Sequence, residues 1–154
     1  MSTFRFRAQA ALDLRRREWQ TAQGNLARAE QVREMAARDV EKAALTLAEA
    51  QKASDEQGRQ TRTPTELQWY RFWIVRLDHE RKSAQSLLAA RQGDVAKMSA
   101  ACEHAKQRCE SLERLKDKTR RTYDRAEADA ERKVIDEIAT LRFNIDRRAA
   151  SFNS

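Results

Sequence analysis

The chain has 154 residues, of which 36% are charged and 6% aromatic, with three glycines, one proline and a formal net charge of +7. This composition is typical of long helices and coiled coils and argues against a globular domain built around a deep core. No segment comes near the roughly 18 consecutive apolar residues of a membrane span. The first residues also lack the apolar core of a secretory signal. We therefore expect a cytoplasmic protein that does not insert into a membrane.

The first predicted element is a helix from about Phe4 or Ala8 to about Ser54, interrupted in its apolar pattern only by arginines. Its apolar residues fall on two interleaved seven-residue repeats, which is the pattern of a coiled-coil seam. The larger side chains of this seam are Leu12, Trp19, Leu26, Val40 and Leu47, and the smaller ones are alanines at 8, 22, 29, 36, 43 and 50.

The seven-residue repeat is lost over residues 55–64, which form the predicted connection. Gly58 is expected to end the first helix. Thr63 and Glu66 flank Pro64 in the order of a typical helix start: a capping hydroxyl, a proline at the first helical position and an acid in the first turn. A second helix is predicted over about residues 65–150. Its seam contains Leu67, Tyr70, Ile74, Leu77, Ala84, Leu88, Val95, Met98, Cys102, Ala105, Cys109, Leu112, Tyr123 and Ala126.

Two helices joined by a short connection become antiparallel neighbours. The sequence therefore predicts an all-α fold, a long antiparallel two-helix coiled-coil hairpin that forms a single domain over residues 1–154. Folding about Thr61 places Leu12 near residue 110 and Phe4 near residue 118. Because the second helix is longer, its part beyond about Arg120 has no partner within the chain and forms a C-terminal helical overhang.

The predicted overhang carries six large apolar residues. Three successive apolar spacings of four residues, in place of alternating three and four, rotate its apolar face relative to the seam. It is either a frayed or self-associating helix end, or an apolar face for another protein. We favour the second alternative, because six such residues exposed on a monomer would promote aggregation. They are Val134, Ile135, Ile138, Leu141, Phe143 and Ile145.

No residue pattern predicts catalysis, a cofactor or a metal site. Cys102, His104 and Cys109 invite a metal interpretation, but two residues rotate a helix by about 200°, which turns His104 away from both cysteines, and a fourth ligand is missing. The two cysteines lie roughly 10 Å apart along one helix, too far for a disulfide. We expect them to be small, buried seam residues and the chain not to be an enzyme.

Three aromatic residues after the connection do not fit the seam: Trp69, Phe72 and Trp73. They form a second stripe beside it. Two interpretations remain open. The side chains either pack over the connecting loop and stabilise the turn, or they form an exposed aromatic patch of the kind found in interaction hot spots.

Three stretches resemble the family of the flagellar export protein FliJ: residues 4–18, residues 69–77 and residues 112–139. The first contains Phe4-Arg5-Phe6-Arg7 and the basic run that follows, the second the aromatic residues, and the third Leu112-Glu113-Arg114-Leu115 and its continuation. The resemblance covers nearly the whole chain. It implies a coiled coil similar to the central stalk subunit of rotary ATP synthases.

The resemblance also implies three partners, namely the hexameric export ATPase, the cytoplasmic domain of the membrane export gate, and export chaperones. It places the protein at the inner membrane, at the flagellar base. The residues that match the family's gate contact are Trp69, Phe72, Trp73, Leu77 and His79. Those that would face the ATPase are Phe4, Phe6, Arg15, Arg16, Arg17, Leu112, Leu115 and Ile138.

Other interpretations remain. The chain could be the equivalent stalk protein of an injectisome, or an unrelated cytoplasmic coiled-coil adaptor or RNA-binding hairpin arm. The net positive charge has two interpretations. It belongs either to a solvated, arginine-rich helix surface or to a surface that binds an acidic partner. Basic residues interleaved with acids, without a basic stripe, argue against nucleic acid.

Overall fold

The computed structural model describes residues 3–60 and 63–152, so the predicted fold point at Thr61 lies outside the described residues. These residues form two α-helices, α1 (Gln9–Gly58) and α2 (Pro64–Phe152), which pack against each other as a hairpin. The predicted all-α, two-helix fold is therefore confirmed. Within the described part of the chain, neither helix has a stretch apolar and long enough to cross a membrane.

The start of α2 has the predicted capping arrangement. The Thr63 hydroxyl oxygen accepts a hydrogen bond from the Glu66 amide at 3.4 Å, and the Glu66 carboxylate accepts one from the Thr63 amide at 3.3 Å. Pro64 takes the first helical position, where its missing N–H leaves no hydrogen bond unmade. These reciprocal bonds satisfy two amides that a helix start would otherwise leave unpaired.

The end of α1 lies one turn beyond the predicted end at Ser54, at Gly58. A contact from α2 lies within this last turn, where the Tyr70 hydroxyl donates a hydrogen bond of 2.6 Å to the Gln57 side-chain oxygen. A tertiary contact of this kind stabilises a last helical turn that its own sequence supports only weakly. The helix then ends at the predicted glycine.

The chain divides into two units. The terminal unit contains Met1–Arg15 and Gln107–Ser154, and the middle unit contains Arg16–Lys106. Among the described residues, the buried apolar side chains are Phe6, Leu12 and Cys109 in the terminal unit and Ala36, Leu47 and Leu77 in the middle unit. All of these except Phe6 occupy predicted seam positions. The seven-residue repeat therefore identifies the core of each unit.

In the terminal unit, a short non-helical segment precedes α1 and packs on α2. The Phe4 ring lies 5.5 Å from the Tyr123 ring, and the Arg120 guanidinium lies 5.2 Å from the Phe4 ring centre. Phe4 thus reaches further along α2 than residue 118, the predicted position. A non-helical segment can cover up to about 3.3 Å per residue, compared with 1.5 Å in a helix, which accounts for the difference.

The overhang, residues 128–151 of α2, has only exposed side chains. Its six large apolar residues are between 47% and 65% exposed. The last half-buried side chains of α2 are Tyr123 and Glu127. The predicted C-terminal overhang is therefore present, and it begins slightly later than Arg120 because Phe4 covers α2 as far as Tyr123.

We expect Leu12→Ala to lower the free energy of unfolding by about 2–5 kcal/mol, since it leaves a cavity at a completely buried position. The matched control is Leu14→Ala on the same helix, where the side chain is 50% exposed and the cost should stay within about 0.5 kcal/mol. Urea unfolding followed by helical circular dichroism measures both. Equal losses in the two variants would contradict the assigned seam.

Candidate protein-interaction sites

The off-seam aromatic residues of the middle unit are exposed. Trp69 is 59% exposed, Phe72 67% and Trp73 38%. The Trp69 and Trp73 rings stack on each other, with centroids 6.0 Å apart and planes 3° from parallel. This arrangement favours the exposed patch over close packing at the turn. We call Trp69, Phe72, Trp73 and the exposed His79 the aromatic surface.

Tyr70 supports the aromatic surface from the seam side. Its ring meets Trp69 edge to face, with centroids 5.1 Å apart and planes at 86°. The same side chain is anchored to α1 by its hydrogen bond to Gln57. Tyr70 was predicted only as a seam residue. In the structure it also ties the position of the tryptophan pair to the packing of the two helices.

Leu77, the fifth residue matched to the gate contact, belongs to the core. It is 5% exposed. At 3.6 residues per turn, the aromatic surface occupies a sector about 120° wide, and Leu77 lies just outside it on the edge that packs against α1. A partner that docks on this side of α2 can contact Trp69, Phe72, Trp73 and His79, whereas Leu77 positions the helix behind them.

Fixed charges lie beside the aromatic surface. Asp78 pairs with Lys82 at 2.9 Å and with Arg81 at 2.9 Å. The hydrogen bond from Lys82, and then that from Arg81, hold the pKa of the Asp78 carboxyl below its usual range. Because the folded pKa is the lower one, these contacts stabilise the fold above the unfolded pKa and are lost as pH falls through the folded pKa.

The residues matched to the ATPase contact fall into two groups by burial. Phe6 is buried, and Phe4 and Leu112 are half-buried within the terminal unit. Of these, Phe4 contacts α2 through the Tyr123 ring and the Arg120 guanidinium. Arg15 is half-buried in the terminal unit, whereas Arg16 and Arg17 belong to the middle unit and are exposed.

The exposed apolar members of the ATPase set are Leu115 and Ile138, each 47% exposed. Ile138 belongs to a narrow row on the overhang. At 3.6 residues per turn this row lies within about 60° of one direction, whereas Ile135 and Phe143 point elsewhere. We call this row the terminal stripe; its members are Val134, Ile138, Leu141 and Ile145.

The terminal unit also has a basic face that we did not predict from the sequence. One shallow groove on α2 is lined by four basic residues, Arg114, Lys118, Arg121 and Arg125, together with Asp117 and Thr122. Their spacing of four, three and four residues places them on one side of the helix. That spacing was the available signal. The basic face is a local exception to the even mixing of acids and bases along the chain, and it suits an acidic partner surface.

The cysteines occupy the seam without forming a disulfide. Cys109 is completely buried and Cys102 half-buried, so the expectation of burial holds fully only for Cys109. In the part of the chain that the structure describes, no three His, Cys, Asp or Glu side chains are arranged to hold a metal ion.

A family model described as flagellar FliJ protein matches residues 5–148. The chain belongs to the FliJ family. It is therefore a component of the flagellar export apparatus, and the family's role there is non-catalytic. The match covers residues 69–77 and 112–139 completely, and residues 4–18 except for Phe4. Neither the curated proteins nor the solved structures gave a match to the chain.

Membership of this family indicates where the exposed surfaces would be used. A flagellar family match favours flagellar export over an injectisome as the setting of the chain. The aromatic surface, the basic face and the terminal stripe are three clusters of exposed residues on α2. They are the candidate contacts with other parts of the export apparatus.

Proposed function

We propose that the chain is a stalk-like coiled coil that binds and stimulates the hexameric export ATPase and links it to the cytoplasmic domain of the membrane export gate. The observation that supports this most strongly is the pair of exposed apolar surfaces, the aromatic surface and the terminal stripe, in each of which several large apolar residues share one side of α2. Contiguous exposed apolar surface on a soluble protein usually marks a binding site.

The aromatic surface is proposed to bind the export gate. Tryptophan is among the residues most enriched in binding hot spots. Trp69 and Trp73 are already stacked in the free chain, so little side-chain freedom is lost when a partner covers them. Arg76 and Glu80, an exposed ion pair at 3.3 Å on the same side of α2, supply a polar rim.

The terminal unit is proposed to bind the ATPase. Its basic face offers four cations in a row, and its exposed apolar residues Leu115 and Ile138 lie on the same helix. A row of cations would complement an acidic partner surface and speed encounter with it. The apolar residues then supply contact area that is removed from water.

The proposed mechanism is coupling between two binding sites without catalysis by the chain. A change in affinity at the ATPase site is matched by an equal change at the gate site, since such coupling is reciprocal. Export chaperones are a third class of proposed partner. Binding to the gate would keep the chain at the inner membrane, at the flagellar base, without crossing it.

The ATPase contact predicts stimulation of ATP hydrolysis. The cognate hexamer should hydrolyse ATP faster with a saturating amount of this chain than alone. Replacing three cations of the basic face (Lys118→Ala, Arg121→Ala and Arg125→Ala) should raise the half-saturating concentration at least about tenfold, a loss of about 1.4 kcal/mol of binding. The effect should shrink at high salt, which screens exposed charges.

The matched control for that experiment removes the same charge from exposed positions of α1: Arg33→Ala, Lys42→Ala and Lys52→Ala. This variant should stimulate like the wild type. Absence of any stimulation by the wild-type chain would contradict the proposed ATPase function. Equal weakening by both triple variants would instead point to net charge alone.

The gate contact predicts that Trp69→Ala with Trp73→Ala weakens binding to the gate's cytoplasmic domain by about 30-fold or more, as expected when hot-spot residues are lost. Helical circular dichroism should be unchanged. The control variant carries Met35→Ala with Leu45→Ala, two apolar residues of α1 that are 63% and 64% exposed. A sharp fall in melting temperature of the tryptophan variant, with gate binding intact, would show that the pair stabilises the turn.

A further inference from the structure

The terminal stripe has the spacing of a coiled-coil seam. Val134, Ile138, Leu141 and Ile145 follow one another at steps of four, three and four residues. This is the pattern by which one helix packs its apolar side chains between those of a single neighbouring helix. The four side chains are 55%, 47%, 62% and 65% exposed. Among the residues that the structure describes, no second helix covers the stripe.

Charges of opposite sign bound the stripe at the next seam positions. Glu131 lies three residues before Val134, and Arg148 lies three residues after Ile145. Both side chains are exposed. The wider sequence repeats this asymmetry, since residues 127–137 contain five acids and two bases and residues 138–148 contain three bases and one acid. The overhang thus carries an acidic half followed by a basic half.

The charge pattern of the overhang is complementary to the same pattern running in the opposite direction. When a second overhang runs in the opposite direction, centred between Ile138 and Leu141, Val134 faces Ile145 and Ile138 faces Leu141. The same register sets Glu131 of each chain opposite Arg148 of the other. A parallel pair would instead bring like charges together at both ends, which is destabilising.

We propose that, in the free protein, the overhangs of two copies of this chain pair as an antiparallel coiled coil through the terminal stripe. The contact is symmetric, with the same surface used by both copies, as in most homodimers. It is also short, which places it among weak and reversible interfaces. It does not depend on the proposed ATPase contact. Pairing covers Ile138, so ATPase binding and self-pairing compete for the same residue.

Sedimentation equilibrium of the full chain over roughly 1–100 µM, the range suited to a weak interface, tests this proposal without any partner. The wild type should pass from monomer to dimer. Glu131→Arg and Arg148→Glu should each raise the dimer dissociation constant at least about tenfold, because each places like charges opposite each other twice. The double variant should restore the wild-type constant, since the exchanged charges attract again.

The control reverses two charges on the opposite side of the same helix, Asp136→Arg with Arg147→Glu, and should leave the dissociation constant unchanged. Circular dichroism checks that every variant remains helical. A chain that stays monomeric throughout the range would overturn the proposal. So would a dimer that is insensitive to the Glu131 and Arg148 single variants, which would indicate a parallel pair, or one that is lost in the Trp69→Ala with Trp73→Ala variant, which would assign it to the aromatic surface.

Discussion

The organisation of this protein depends on one constraint, which is that α1 has 50 residues and α2 has 89. A helix buries its apolar residues only where another element packs against it, and most helical stability in proteins comes from such packing. Cover on α2 extends to Glu127, and the side chains of residues 128–151 are exposed. The hairpin therefore does not bury the apolar residues of the overhang, which we propose are used for contacts between proteins.

Seam and off-seam residues have different roles. Seam residues such as Leu12 and Leu77 are buried and hold the helices together, whereas Trp69 and Phe72, on neighbouring turns of α2, stay exposed. The family resemblance places buried and exposed residues in the same proposed contact, both for the gate and for the ATPase. Leu77 and Phe6 support the surfaces that a partner would touch, and their replacement would act on binding through stability. A binding assay on these two residues therefore needs a parallel measure of folding.

The fold was predictable because its main signals are local and periodic. A seven-residue repeat identified Leu12, Leu77 and Cys109 as core, and the Thr63 capping hydroxyl marked the start of α2. What could not be predicted depends on contacts between distant residues. The last turn of α1 is held by Tyr70, and the burial of Phe6 results from a non-helical segment lying on α2. For the candidate sites, helical periodicity identified the off-seam aromatic residues, but exposure required the packing of both helices.

We propose that partners, and not the hairpin, stabilise the overhang. Hydrogen–deuterium exchange of the dilute chain, with and without the cognate ATPase hexamer, tests it most directly, because amide protection reports local opening. We expect amides of residues 128–151 to exchange much faster than those of residues 67–112 in the free chain, and to become protected when the ATPase is added. Equal protection of both segments in the free chain, or protection by the ATPase confined to other segments, would contradict the account.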